Sequence, residues 1–393
     1  MSIAAFQFAP MPHIHFGWGI RQQLIGHLQQ QYQGRIVLIT GNFLARPGQF
    51  GFEVRNSLLE TNRFVDHFTV SGEPSPDLVD TIVEQCKSDT QVVVGIGGGS
   101  VLDAAKAIAG LIPSQTSVMD YLEGVGLGKP FDVKTCPFIA VPTTAGTGSE
   151  TTKNAVLSRI GEFKKSFRDN QLLAKEAWLD PELLKSCPTD VLYSTGMDAF
   201  TQLLESYTTL KPNPITDALA WQGMTLFKGA FEDINSNDAD RQQQGYSNLM
   251  LAASLSGTTL ANAGLGAVHG LAGPIGAFFE APHGIVCAKL LEPITRANIE
   301  SLLQEGNNPT IIAKYQQIGQ LLNPGLSTDQ AIPSLLKTLK AYAENYTPQG
   351  LAEFGLSIES ITPVIQNCRS GSMLGNPVTL TDEQLIEAIK TAL

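Results

Sequence analysis

A chain of 393 residues exceeds what one hydrophobic core ordinarily fills, so two domains are expected. With 43% hydrophobic and 16% charged residues it reads as folded and globular, and a net charge of −11 excludes the basic face that nucleic acid or an anionic membrane requires. Cys86, Cys136, Cys187, Cys287 and Cys368 never fall in a C-x-x-C pair. That usage suits a reducing compartment and supplies no thiolate cage. No lysine or arginine precedes Arg21 and no apolar run of signal-peptide length follows, so a cytoplasmic protein is expected.

In chain order, the first half alternates helical and strand patterns. The segment "GIRQQLIGHLQQQY" (19–32) has helical spacing, and "RIVLIT" (35–40) and "VDHFTV" (65–70) are short β-branched runs. Next come the helical "SPDLVDTIVEQCKS" (75–88), the strand "QVVVGIG" (91–97), the helix "SVLDAAKAIAGLI" (100–112) and the strand "PFIAVPTT" (137–144). Such alternation predicts a largely parallel sheet covered by helices. Beyond Asp180-Pro181 the strand signal fades into long helical stretches, "PTDVLYSTGMDAFTQLLESYTTL", "ITDALAWQGMTLFKGAF" and "GYSNLMLAASLSGTTLANA". The domains are therefore expected at 1–184 (α/β) and 185–393 (all-helical). Residues 242–279 contain no Asp, Glu, Lys or Arg, but Asn248, Asn262, His269 and Pro274 fit buried helices better than a membrane span.

Three adjacent glycines, Gly97, Gly98 and Gly99, separate a buried strand from a helix. A helix N-terminus offers unpaired N–H groups and a partial positive charge, which suits a phosphate or pyrophosphate. Glycine lets the backbone take unusual dihedrals and lets oxygen atoms approach. Ser100 and Asp103 have the S-x-x-D spacing of a capping box, placing the helix start at the glycines. A tight turn without a ligand has the same composition, and this is neither G-x-G-x-x-G nor a P-loop. A second loop, "VPTTAGTGSE" (141–150), offers the hydroxyls of Thr143, Thr144, Thr147 and Ser149 at the carboxyl end of the next strand, where open α/β sheets bind ligands. A polar surface turn is the alternative for that loop alone.

Asp198 and Gln202 are four residues apart and share one helix face. His269 and His283 lie in the nearly charge-free region, where an imidazole must be hydrogen-bonded or bind metal. Oxygen and nitrogen donors without sulfur suit Fe(II), Zn(II) or another divalent first-row ion.

The motifs "FGWG", "GGGSVLDAAK", "PTTAGTGSE", "TGMDAFTQ", "VHGLAG" and "APHG" occur in the order found in the iron-containing (group III) alcohol dehydrogenases, and the chain resembles that family along essentially its whole length. The resemblance implies an N-terminal Rossmann-like α/β domain with a parallel sheet and an all-α C-terminal domain, the dehydroquinate synthase-like architecture. It implies NAD(P)(H) and a divalent metal, Fe(II) or Zn(II), acting on a small alcohol or aldehyde in the cleft between. It maps the metal and the catalysis onto Asp198, His269 and His283, with Gln202, where the family commonly has a histidine ligand, as a weaker fourth donor or a partner of the ligands, and Gly273 where it has a proton-relaying histidine. It also places Lys164 near the cofactor ribose and Asp103 near the nicotinamide; a solvated surface lysine is the alternative for Lys164. A maleylacetate-reductase-like enzyme with little metal dependence, a dehydroquinate-synthase-like lyase and a non-catalytic binding protein are the other readings. The lyase is disfavoured by the scarcity of Lys and Arg near the metal segments.

In a Rossmann-like domain the residue after the second strand meets the adenosine ribose, and a carboxylate there accepts from the 2′-OH and repels a 2′-phosphate. Here Gly41 and Asn42 follow "IVLIT", with Arg46 as the nearest cation, so NADPH is expected to be preferred over NADH. A homodimer or larger homo-oligomer is expected, with no nucleic-acid or membrane partner.

Overall fold

The computed structural model describes residues 5–61, 63–306 and 308–393. Its first half contains β1 (His13–Phe16), α1 (Leu24–Gln31), β2 (Arg35–Gly41), α2 (Phe50–Glu60), β3 (Val65–Val70), α3 (Pro76–Gln85), β4 (Thr90–Gly97), α4 (Gly99–Leu111) and β5 (Phe138–Pro142). An antiparallel hairpin, β6 (Asn154–Arg159) and β7 (Phe163–Arg168), then precedes β8 (Glu176–Leu179). Six strands form one parallel sheet in the order β1-β8-β5-β4-β2-β3.

The central strands are apolar without interruption because both faces are covered. Val37, Ile39 and Val93 pack with Val79, Ile82 and Ile108 on one side, while Ile36, Leu38, Val92 and Val94 meet Leu24, Leu28 and Val54 on the other. The order β3-β2-β4-β5-β8 is that of a doubly wound sheet whose direction reverses between β2 and β4. Ligands bind such sheets outside the carboxyl ends at the reversal. Gly41 ends β2 and Gly97 ends β4, so the two loops singled out for the dinucleotide border that crevice.

The predicted capping box is corrected. The helix does begin at the glycines, but Gly98 is the N-cap, Ser100 lies inside the first turn, and no side chain caps it. The Asp103 carboxylate is drawn away to Ser149 Oγ and the Val156 amide.

The second half is helical: α5 (Thr189–Thr208), α6 (Pro214–Phe227), α7 (Ala230–Ile234), α8 (Ala239–Ala263), α9 (Ala267–Phe278), α10 (His283–Glu305), α11 (Pro309–Leu322), α12 (Thr328–Tyr346), α13 (Thr362–Asn367) and α14 (Asp382–Ala392). The uncharged segment 242–279 forms most of α8 and all of α9, and no helix among the described residues is long and apolar enough to cross a membrane.

The loop after β5 docks the sheet onto these helices. Gly148 takes a left-handed φ of 58°, and a Cβ on it would lie 2.5 Å from the Gly257 amide nitrogen on α8. In return, a Cβ on Gly257 would lie 2.2 Å from the Gly148 carbonyl oxygen. Thr151 Oγ1 donates to the Ser254 carbonyl at 2.8 Å and secures the contact. Because backbone meets backbone, neither side can yield by changing rotamer. Gly257→Ala is expected to destabilise the protein by about 2–3 kcal/mol, read as a lowered urea midpoint with the slope unchanged.

Candidate active site

A cavity of about 740 Å³ opens between the carboxyl edge of the sheet and α9, within the usual range for small-molecule sites. On its sheet side lie Gly99, Ser100, Asp103, Thr147 and Ser149; on its helical side lie Gln202, His269, Gly273 and His283. The first turn of α4, whose N–H groups have no intrahelical acceptors, therefore faces the helical half across open space.

The glycines work differently from the sequence expectation. None of Gly97, Gly98 and Gly99 has a positive φ. A Cβ on Gly97 would lie 2.6 Å from Val101, one on Gly98 3.1 Å from Thr144, and one on Gly99 2.7 Å from Thr147. Their smallness brings α4 and the Thr144–Thr147 loop together, and the close approach to a ligand follows from that packing. Thr143 donates its amide to the Gly97 carbonyl at 3.0 Å, which holds the two loops side by side. Gly41, Asn42, Thr143 and Thr144 do not line this cavity.

Beneath the loops, Lys106 is completely buried and donates to Ser149 Oγ (3.0 Å), Thr152 Oγ1 (2.9 Å) and the Asn154 carbonyl (2.8 Å). Burial pulls its pKa down to about 8, against the attraction of Asp103 and Glu150. Burial pushes the Glu150 carboxyl up to about 7. Lys164 is not a solvated surface lysine. Its ammonium pairs with Glu73 at 2.9 Å, its side chain is only 11% exposed, and both residues line the cavity.

At the helical end, α5 carries Asp198 and Gln202, α9 carries His269, and His283 opens α10. One donor atom each from Asp198, His269, His283 and Cys287 lie within 4.8 Å of one another. His269 Nε2 is 3.0 Å and His283 Nε2 3.8 Å from Asp198 Oδ1. Glu205 accepts from His269 Nδ1 at 2.6 Å and from the Val268 amide at 2.7 Å. The Nδ1 hydrogen bond orients the ring and leaves Nε2 directed at Asp198 Oδ1.

Burial opposes ionisation of Asp198, but the neighbouring imidazoles and the Gln202 amide hold its carboxyl well below the usual range, at about 2. Burial also disfavours the charged form of His283 and takes its pKa down to about 4, so its nitrogen lone pair is available at neutral pH. A permanently ionised carboxylate and two convergent imidazoles fit a divalent first-row cation.

Gln202 sits beside the site: its side chain hydrogen-bonds Asp198, and its Oε1 lies 2.9 Å from Ser256 Oγ. Glu205 and Cys287 were missed in the sequence. The signal was present, because Glu205 lies seven residues after Asp198 and Cys287 four after His283, each on the same helix face as its partner. Gly273 leaves open space, with nothing within 4 Å of an added Cβ. Arg46 is exposed, its guanidinium 5.9 Å from the Phe43 ring.

A doubly wound sheet whose carboxyl edge faces, across a cavity of about 740 Å³, a helical half that presents a carboxylate and two imidazoles suits a metal-dependent dinucleotide oxidoreductase. Family comparison agrees: iron-containing alcohol dehydrogenase matches residues 11–181, and the C-terminal Fe-containing alcohol dehydrogenase family matches residues 192–393. The chain belongs to the iron-containing alcohol dehydrogenases. It is 34% identical over 293 residues to long-chain-alcohol dehydrogenase 1 of Geobacillus thermodenitrificans, covering 74% of this chain and 72% of that one. It is 28% identical over 396 residues to alcohol dehydrogenase 4 of Saccharomyces cerevisiae, covering 100% and 99%. The solved alcohol dehydrogenase from Oenococcus oeni superposes with a TM-score of 0.86 at 26% identity, covering 99% of this chain and 100% of that one.

The protein is accordingly an oxidoreductase that interconverts an alcohol and its carbonyl compound with NAD(H) and a divalent metal. The lyase and non-catalytic readings give way to this assignment.

The Glu205–His269 hydrogen bond generates a test. Glu205→Leu is expected to weaken metal binding by about 10–100-fold, with Glu205→Gln intermediate because its carbonyl still accepts from Nδ1. Competition against a chromophoric chelator measures both.

Proposed function

We propose that Asp198, His269 and His283 hold the divalent ion and that the loops 97–100 and 143–149 seat the dinucleotide, with a small alcohol or aldehyde reacting in the cavity between them. The observation that carries this reading is the convergence of three donors at one end of a cavity whose opposite wall is the N-terminus of α4. When bound, the ion polarises the substrate oxygen and the nicotinamide exchanges the hydride.

The chain's own residues do the positioning. Asp198 contributes the fixed negative charge, and Glu205 keeps His269 aimed. Gly99 and Ser100 present amides to the pyrophosphate. Asp103, whose oxygens are held by Ser149 and Val156, borders the nicotinamide end, and Lys164 with Glu73 borders the ribose. Gly273 supplies no proton-carrying group, so proton exchange runs through water in the cavity.

The finer readings rest on separate features. NADPH is the preferred dinucleotide because Gly41 carries no repelling charge at the end of β2. The functional division falls at 184/185, between the last strand and α5. A homodimer or larger assembly is supported by the edge strand β1, around which Phe6, Met11 and Phe16 are exposed. A cytoplasmic location is supported by five free cysteines.

Asp198→Ala is expected to abolish metal retention after dialysis and to lower kcat/KM by about three orders of magnitude. Full activity of the wild type in excess chelator would instead favour a metal-independent reductase. A Cβ at Gly41 meets only Val101 at 3.7 Å, so Gly41→Asp is tolerated. It is expected to shift the NADH-to-NADPH ratio of kcat/KM by about tenfold or more toward NADH. A wild type that turns over with NADH alone would overturn the NADPH assignment.

A further inference from the structure

Cys287 occupies a place that packing alone does not account for. It lies on α10 one turn beyond His283, fully buried, with its sulfur 3.7 Å from His269 Nε2 and 3.8 Å from His283 Nε2. A buried cysteine ordinarily acts as a small apolar side chain or a weak donor to a carbonyl. Cys136 and Cys368 behave that way, with sulfurs directed at the Thr90 and Ile365 carbonyls. The Cys287 sulfur instead faces the metal-facing nitrogens of two imidazoles.

The distances have a simple geometric meaning. Bond lengths of about 2.3 Å to sulfur and 2.05 Å to nitrogen put a sulfur–nitrogen tetrahedral edge at about 3.6 Å, and a nitrogen–oxygen edge at about 3.4 Å. Both sulfur–nitrogen separations fall close to the first value, and the nitrogen–oxygen separations of 3.0 and 3.8 Å straddle the second. Four of the six edges among these donor atoms therefore lie near tetrahedral values, and the other two are within 4.8 Å. Gln202 Oε1 lies 2.9 Å from Ser256 Oγ, a hydroxyl that also lies 2.8 Å from the Ala253 carbonyl.

We infer that Cys287 is the fourth protein ligand of the metal, as a thiolate, giving a mixed oxygen, nitrogen and sulfur site that favours Zn(II), Co(II) and Fe(II) over Mn(II) and Mg(II). This rests on the assignment of Asp198, His269 and His283 as ligands. On binding, the sulfur–metal bond forms as the sulfur–hydrogen bond breaks, and the proton leaves through the cavity to solvent. A soft thiolate raises affinity for the later first-row ions far more than for oxygen-seeking ones.

Cobalt titration of the chelator-treated full-length protein tests this without turnover. The expected result is one equivalent of Co(II) with visible ligand-field bands and a near-ultraviolet sulfur-to-cobalt charge-transfer band. Cys287→Ser should still bind one equivalent but lack the charge-transfer band. Its Zn(II) affinity should fall by about 10–100-fold, while its Mn(II) affinity changes less than about threefold. Ligand-field bands without charge transfer in the wild type overturn the inference and leave the three-ligand site standing, as does a charge-transfer band that survives in Cys287→Ser. Failure of the wild type to bind one equivalent, or undiminished binding by Asp198→Ala, overturns the three-ligand assignment itself. The wild-type spectrum decides even where a variant does not fold.

Discussion

The contact between Gly148 and Gly257 sets the distance on which the active site depends. A loop of the sheet half and a helix of the other half meet there backbone to backbone, with no side chain between them. One residue before Gly257, Ser256 holds Gln202, and Gln202 in turn bonds Asp198. Three consecutive interactions thus connect the hydroxyl-rich loop to the metal carboxylate. Hydride transfer requires reacting atoms at near-contact distance, so a shift of one ångström between the halves is chemically costly. Rigid backbone contact holds that dimension better than long side chains could.

Charge is buried on both walls of the cavity, and each wall supplies hydrogen-bond partners to its own charged groups. On the sheet side, Lys106 sits among hydroxyls and a carbonyl near Asp103 and Glu150. On the helical side, Asp198 and Glu205 flank His269. Isolated buried charges are strongly destabilising, whereas hydrogen-bonded groups with compensating neighbours persist. The arrangement leaves the cavity walls polar without requiring a ligand to complete every network. It also explains why the hydroxyls of "PTTAGTGSE" are only partly available to a dinucleotide, since Ser149 is shared between Lys106 and Asp103.

Much of this was legible in the sequence where a physical period was strong. The β-branched runs "RIVLIT", "VDHFTV" and "QVVVGIG" read directly as strands, and β2, β3 and β4 lie there. β1, β8 and the β6–β7 hairpin were not visible. β8 is four residues long and includes Glu176, whose carboxylate is satisfied by Trp178 of the same strand and by His15 and His27 from elsewhere in the chain. Such compensation is tertiary, and no local pattern announces it. The same holds at the site. Helix spacing places Asp198 beside Gln202, but only the folded chain shows that Gln202 turns to Ser256 and that Glu205, two turns along α5, reaches His269. The glycine run was located from the sequence, but not the packing that requires Gly98 and Gly99 to be small, because Thr144 and Thr147 lie more than forty residues away.

Gly273 has a consequence for selectivity. It lies one helical turn after His269 on the cavity wall, and an added side chain there would meet nothing within 4 Å. The pocket therefore has a recess beside the metal donors rather than a wall. A recess does not discriminate by bulk, so branching next to the reacting carbon carries little steric penalty on that side. Recognition then falls to the oxygen that approaches Asp198, His269 and His283 and to the dinucleotide opposite.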